Sequence, residues 1–181
     1  MVVPAMGLKK LIQENSAVVL VVSMLMLVLA GWRIMSQGST ELPDYKWMYD
    51  LNRQVLVQAP RSSISPLVMD SGVYEFKGMG EAGAVVDVGL YACGGTPKLK
   101  DGMSLESMGD KGVRIVFLSR HPDSVLPELE AKGYEAMPEP PVLYSDATGE
   151  EWVWEGSSQG EAIFGAISTL CDGERGRMIL Y

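Results

Sequence analysis

"AVVDVGLYAC", residues 84–93, settles the architecture of this chain, because its β-branched density is that of an internal strand. On its C-terminal side, "VRIVFLS", residues 113–119, is the strongest strand pattern in the chain. Between them lies "GGTPKLKDGMSLESMGDKG", residues 94–112, which reads as a long excursion with little order of its own. Upstream, "YKWMYDLNRQVLVQAP" at 45–60 predicts a hairpin: Trp47 and Tyr49 keep a period of two, Asn52 supplies the turn, and Val55 and Val57 resume the alternation. "RSSISPLVMDSG", 61–72, reads as loop, and "VYEF", 73–76, as a short strand.

Downstream of 119 the period changes. "DSVLPELEAKG", 123–133, predicts a helix with Pro127 tolerated near its start and Gly133 ending it. "PEPPVLYSDATGEEWVWE", 138–155, reads as a rigid proline lead into a second hairpin, turning at Asp146-Ala147-Thr148-Gly149. Ser158 and Glu161 fit a capping box for a last helix through "AIFGAISTL", with Ile163, Phe164, Ile167 and Leu170 at helical spacing. "RMILY", 177–181, returns as a strand. Strands outnumber helices and most neighbours are joined by short turns, so the domain at 45–181 is expected to be α+β, a mainly antiparallel sheet with about two helices.

Ahead of this domain, "SMLMLVLAGWRIMSQ", 23–37, belongs to an apolar run over 17–35 broken only by Ser23, Gly31 and Arg33. The length is close to the roughly 20 residues that cross a bilayer. A secretory signal would end at its small residues, but apolarity continues past Ala30 through Trp32, Ile34 and Met35. A lipidated signal would need a cysteine there, and none occurs before Cys93. The expectation is therefore a short tail at 1–16, a retained single-pass transmembrane anchor at 17–35 in contact with the lipid bilayer, and a polar linker at 36–44. Lys9 and Lys10 precede the apolar run and only Arg33 opposes them, which favours an extracytoplasmic C-terminal domain.

Charge narrows the partners. After residue 35 the chain carries 12 basic and 22 acidic side chains, a surface that repels phosphate backbones. No nucleic acid partner is expected. "GMGEAG", 78–83, matches Gly-x-Gly-x-x-Gly by letter, but nucleotide binding needs a helix after it. Val85-Val86-Asp87-Val88, just beyond it, is a strand pattern instead. The run reads as a flexible hairpin connection, and no nucleotide or other cofactor is expected.

Chemistry has few other footholds. With His121 the only histidine and no Cys-x-x-Cys, no metal site is expected. Ser119, His121 and Asp123 are too close in sequence to surround a substrate as a triad. His121 reads as a helix-capping or surface residue, and no catalytic residue is assigned. Cys93 and Cys171, 78 residues apart, either close a structural disulfide in an exported domain or remain two packing thiols. Trp152 and Trp154 share one strand face, as do Tyr45, Trp47 and Tyr49. Each row is either sheet core, the simpler reading, or a stacking surface for a peptide or glycan.

The segments "WMYDLN", "LVQAP", "ISPL" and "LYACGG", together with "EEWVWEGSSQGEAI" and "CDGERGRMILY", resemble short single-pass membrane proteins of planctomycete type, which carry an N-terminal anchor and a "YDLN" hairpin domain. After Asn52 this chain has Arg53-Gln54 where that group has Thr-Gly. The group is uncharacterised, so the resemblance implies an anchor plus a domain and transfers no functional residue. The resulting expectation is a non-enzymatic cell-envelope domain that contacts an envelope protein or surface polymer. The alternatives are an exported thiol-redox protein using Cys93 and Cys171, or a glycan- or peptide-binding module using Trp152 and Trp154.

Overall fold

The computed structural model describes residues 16–36, 43–95, 97–134, 137, 139–171 and 176–179, with the side chains of the first helix described over 20–33. The expected tail at 1–16, save its last residue, and most of the linker at 36–44 lie outside the described residues. The chain divides into two compact units, Met1–Leu42 and Pro43–Tyr181.

The first unit contains helix α1 (Ser16–Ser36). Its 21 residues span about 31 Å of helix axis at 1.5 Å per residue. The large apolar side chains from Leu20 to Leu29, and Trp32, are all exposed. Among the described residues, no helix is long and apolar enough to cross a membrane.

The second unit is α+β with a mainly antiparallel sheet. Its strands are β1 (Tyr45–Asp50), β2 (Val55–Pro60), β3 (Val73–Phe76), β4 (Gly80–Gly83), β5 (Val85–Cys93), β6 (Val113–Arg120), β7 (Leu143–Ser145), β8 (Val153–Trp154) and β9 (Gly176–Ile179). The principal sheet runs β2-β1-β5-β6-β7-β8, with β9 also on β5, while β3 and β4 form a separate hairpin. Strand β5 is the hub. It pairs with β1 through Val85, Val86 and Asp87, with β9 from Leu90 to Cys93, and with β6 from Asp87 to Ala92. Its two faces are both buried where it starts, at the adjacent Val85 and Val86, and β-branched residues suit such a position.

The β1–β2 hairpin forms as expected, held by an Asx turn in which the backbone N–H groups of Asn52 and Arg53 donate to Asp50 Oδ1 at 3.0 Å. Asn52 does more than turn the chain: its Nδ2 donates to the carbonyls of Ser71 and Val73, tying this turn to the start of β3. Both faces of β1 are buried. Trp47 and Tyr49 join the larger core with Leu56, Phe76, Leu90 and Leu118, while Met48 packs with Val57, Ala59 and Val85 beneath Leu67. The row Tyr45-Trp47-Tyr49 is therefore core except for Tyr45, which is exposed and edge-on to Trp47.

Several expectations are corrected. Residues 94–112 are not a loose excursion: they contain helix α2 (Leu105–Asp110), capped by Ser104, and the buried side chains of Met103 and Met108. Its lead-in docks on β2, where Leu56 N–H donates to the Met103 carbonyl and Gly102 N–H to that of Leu56. Two buried methionines spaced five apart gave no periodic signal. With α3 (Leu126–Lys132) and α4 (Ser158–Gly165), the domain has three α-helices among its described residues, where about two were expected, plus a 3₁₀ turn at Ala166–Thr169.

The capping box at Ser158 and Glu161 does not form. The cap of α4 is Ser157, whose Oγ accepts from Gly160 N–H at 3.0 Å and donates to the Trp154 carbonyl at 2.7 Å. Gly160 packs so close to that carbonyl that a β-carbon would lie 2.8 Å from its oxygen, so the helix start is set by a contact with β8. Phe164 of α4 meets Phe117 and Tyr144 with ring centroids 5.2 and 4.9 Å away. "RMILY" forms β9 as expected, its last two residues lying outside the described ones.

Finally, "GMGEAG" is the turn and second strand of the β3–β4 hairpin. Gly78 and Gly80 have φ of +77° and +92°, and β4 runs on to strand β5 rather than to a helix. Gly83 lies against backbone, and a β-carbon there would sit 2.3 Å from the Leu67 carbonyl carbon.

Candidate functional site

Trp152 and Trp154 sit on one face of the β8 segment and line a cleft of about 350 Å³ with Met79, Arg120, Pro122, Asp123 and Leu143. Their roles differ. Trp152 is half-buried, edge-on to Phe76 with centroids 5.4 Å apart, and its Nε1 donates to the Gly149 carbonyl at 2.9 Å. Trp154 is 54% exposed. One tryptophan is thus anchored in the core, and the other stands at the cleft mouth on a strand of two residues.

Arg120, which ends β6, is the residue that sequence reasoning missed. It is 1% exposed, in a lining otherwise composed mainly of apolar side chains. Its guanidinium lies 4.0 Å from the centroid of the Phe76 ring, a cation–π contact strengthened by desolvation. Nε donates to the His121 carbonyl at 3.2 Å, and Nη2 donates to Asp123 Oδ1. Nη1 is shielded from solvent and has no hydrogen-bond partner among the described residues. A buried donor left unpaired costs about 1–3 kcal/mol, more for a charged group. Burial pulls the Arg120 pKa below its ordinary value, opposed by the charge and hydrogen bond of Asp123. The signal was present in the sequence as an arginine closing a strongly patterned strand with an aspartate three residues on, but i,i+3 charges are ordinarily a surface pair.

His121 is buried, not a capping or surface residue. Its backbone N–H donates to the Ser65 carbonyl at 3.0 Å. Nδ1 lies 2.9 Å from the Pro141 carbonyl and Nε2 lies 3.0 Å from the Tyr134 hydroxyl. A carbonyl only accepts, so Nδ1 carries the proton and, in the neutral ring, Nε2 accepts from Tyr134. The imidazole is thereby a strut that pins the β6–α3 connection to the segment before β7. Ser119 and Asp123 are not brought to it: the Ser119 carbonyl accepts from Ser65 Oγ at 3.0 Å, and Asp123 faces Arg120. Among the described residues, no group of three or more His, Cys, Asp or Glu is arranged to hold a metal ion.

Cys93 and Cys171 are bonded, with their Cα atoms 5.3 Å apart. The bond joins the end of the hub strand to the end of the segment that carries α4. Cys171 is buried, and Gly176 packs so closely that a β-carbon would lie 2.8 Å from Cys171 Sγ and 2.0 Å from Tyr91 Cε1. A second cleft of about 560 Å³ lies on another side of Trp154, lined by Glu139, Pro140, Pro141, Val142, Glu155 and Gly156. It has no buried polar group comparable to Arg120.

No protein-family model matches this chain, no curated protein is similar to it, and no solved structure matches it. Function rests on the site's own chemistry.

Proposed function

We propose that this protein is a membrane-tethered, extracytoplasmic, non-enzymatic binding domain that engages a protein or surface polymer of the cell envelope through the Trp152–Trp154 cleft. The observation that carries this reading is the pairing of an exposed tryptophan with a buried, incompletely bonded arginine in one cleft. Tryptophan and arginine are the residue types most enriched among those that carry binding energy at protein interfaces.

The tether rests on α1. Its described stretch exposes every large apolar side chain from Leu20 to Leu29, and a bilayer would cover them. An exported domain is supported by the charge bias of the N-terminal segment and by the Cys93–Cys171 bond, since such bonds persist in oxidising compartments. The resemblance to single-pass planctomycete proteins is consistent with the same arrangement. The bond's position also favours a structural over a redox role: it ties two elements of the core together, and Cys171 is buried where a reactive sulfur needs to be reached.

Two measurements test this. Protease added to intact spheroplasts digests residues 43–181 while the N-terminal tail stays protected; digestion only after lysis overturns the extracytoplasmic assignment. A photo-crosslinking amino acid at position 154 gives a discrete adduct in cells, whereas one at exposed Leu105, on α2, does not. Equal labelling at both positions, or none at 154, removes the cleft from the reading.

A further inference from the structure

Resting on the proposed binding role of the cleft, we infer that its ligand is a peptide ending in an apolar residue with a free α-carboxylate, and that Arg120 is the carboxylate receptor. Three groups match three parts of such an end. Arg120 Nη1 is a charged donor with no partner among the described residues, and guanidinium–carboxylate pairing is the strongest use of it. The Asp123 side chain is 48% exposed; while Oδ1 holds Arg120, the carboxylate keeps acceptor capacity for the ligand's terminal amide N–H. Met79, Pro122, Leu143 and Trp152 supply an apolar wall for the last side chain, with Trp154 covering the preceding residue at the mouth.

The lining also discriminates. A sugar carboxylate would bring a ring of hydroxyls, and the only charged or hydroxyl-matching side chains in the lining, apart from the tryptophan indoles, are Arg120 and Asp123. Hydroxyls turned toward the apolar wall would be desolvated without a partner. An apolar C-terminal residue leaves no such deficit. Since Nη1 is itself shielded, seating of the ligand on it requires the packing around it to open. Among the lining side chains Met79 is the unbranched, adaptable one, and it lies on the turn between Gly78 and Gly80, both in the left-handed region.

The test uses the full chain in lipid nanodiscs and calorimetric titration with N-acetyl-Gly-Gly-Leu as the free acid and as the C-terminal amide, with leucine and a trigalacturonate as further arms. The acid is expected to bind saturably and about 10- to 100-fold more tightly than the amide, the range for one charge-assisted hydrogen bond. Arg120→Met should make acid and amide equal, and Trp154→Ala, at an exposed position, should weaken both. If Arg120→Met does not fold, the acid–amide ratio on the unaltered protein still decides. Equal binding of acid and amide, or no saturable binding in the millimolar range, overturns the inference. Leucine binding as tightly as the peptide overturns the peptide assignment, and saturation by trigalacturonate alone overturns it in favour of a polymer. A discrete crosslink at position 154 together with any of these negative results would sink the ligand class and leave the binding role standing.

Discussion

At the level of single residues, Gly83 and Tyr49 carry the clearest consequences. Gly83→Ala would drive a β-carbon to 2.3 Å from the Leu67 carbonyl carbon and 2.7 Å from Val68 N, and neither atom is the end of a flexible side chain. A loss of about 1–3 kcal/mol is expected in urea unfolding. Gly78→Ala, with open space but φ of +77°, should cost about 1 kcal/mol. Equal effects would mean that the loop at 61–72 is not held against β4 as described. Tyr49 is 3% exposed, and burial, then the charge of Asp50, raise its pKa above the usual 10.0. A folded-state pKa above the unfolded one contributes stability that is present below the unfolded value and lost as pH rises through the folded one. Stability should therefore fall as pH rises past ~10, by at most about 1.4 kcal/mol per pH unit for this group, until Tyr49 ionises in the folded state. Tyr49→Phe should flatten that fall, and an unchanged alkaline slope would show that the hydroxyl titrates in contact with water.

Among the elements, α4 shows how a tertiary contact selects a helix start. Ser157 and Ser158 are both good N-cap residues, and Ser158 has the better local pattern because Glu161 stands at the capping-box distance from it. Gly160 resolves the choice. Only a residue without a β-carbon can sit against the Trp154 carbonyl, and with Gly160 there, Ser157 is the hydroxyl in reach of both that carbonyl and the helix's own N–H groups. Ser157→Ala should cost about 1 kcal/mol, with Ser158→Ala close to neutral, measured by thermal melting of otherwise identical proteins. The reverse order would restore the capping box. Because the same serine secures the carbonyl of Trp154, its loss should also alter the emission of that exposed tryptophan.

For the molecule as a whole, the bond between Cys93 and Cys171 closes a separation of 78 residues. Chain-entropy reasoning assigns such a loop about 4 kcal/mol, acting on the unfolded state. Cys93→Ser and Cys171→Ser should each lower stability by an amount of that order, and the double variant should lose little more, because both remove the same bond. Additive small losses would show two independent packing sites. The bond staples the far end of β5 to the end of α4 and its 3₁₀ extension, and β9 then returns to pair with β5 at Cys93↔Gly176. Sheet, helix and final strand thus converge on one point, at the opposite end of β5 from its pairing with β1.

Residues 84–93 and 113–119 were legible as strands because internal strands concentrate β-branched and apolar residues regardless of context, and the hairpin at 45–60 because its turn is stabilised by its own Asp50. The helix at 126–132 was legible for the same reason: proline at its start and Gly133 at its end are local signals. These features depend on interactions between near neighbours, and a chain carries those in its order. Helix α2, the serine that caps α4, the burial of His121 and the bond between Cys93 and Cys171 depend on groups far apart in sequence. Arg120 belongs with them. Its i,i+3 partner is local, but its burial comes from Phe76, 44 positions away on a hairpin that packs over the sheet. Fold class was therefore decided by local sequence, while the cleft is a product of tertiary packing, which brings Met79, Arg120, Leu143 and Trp152 together from separate segments.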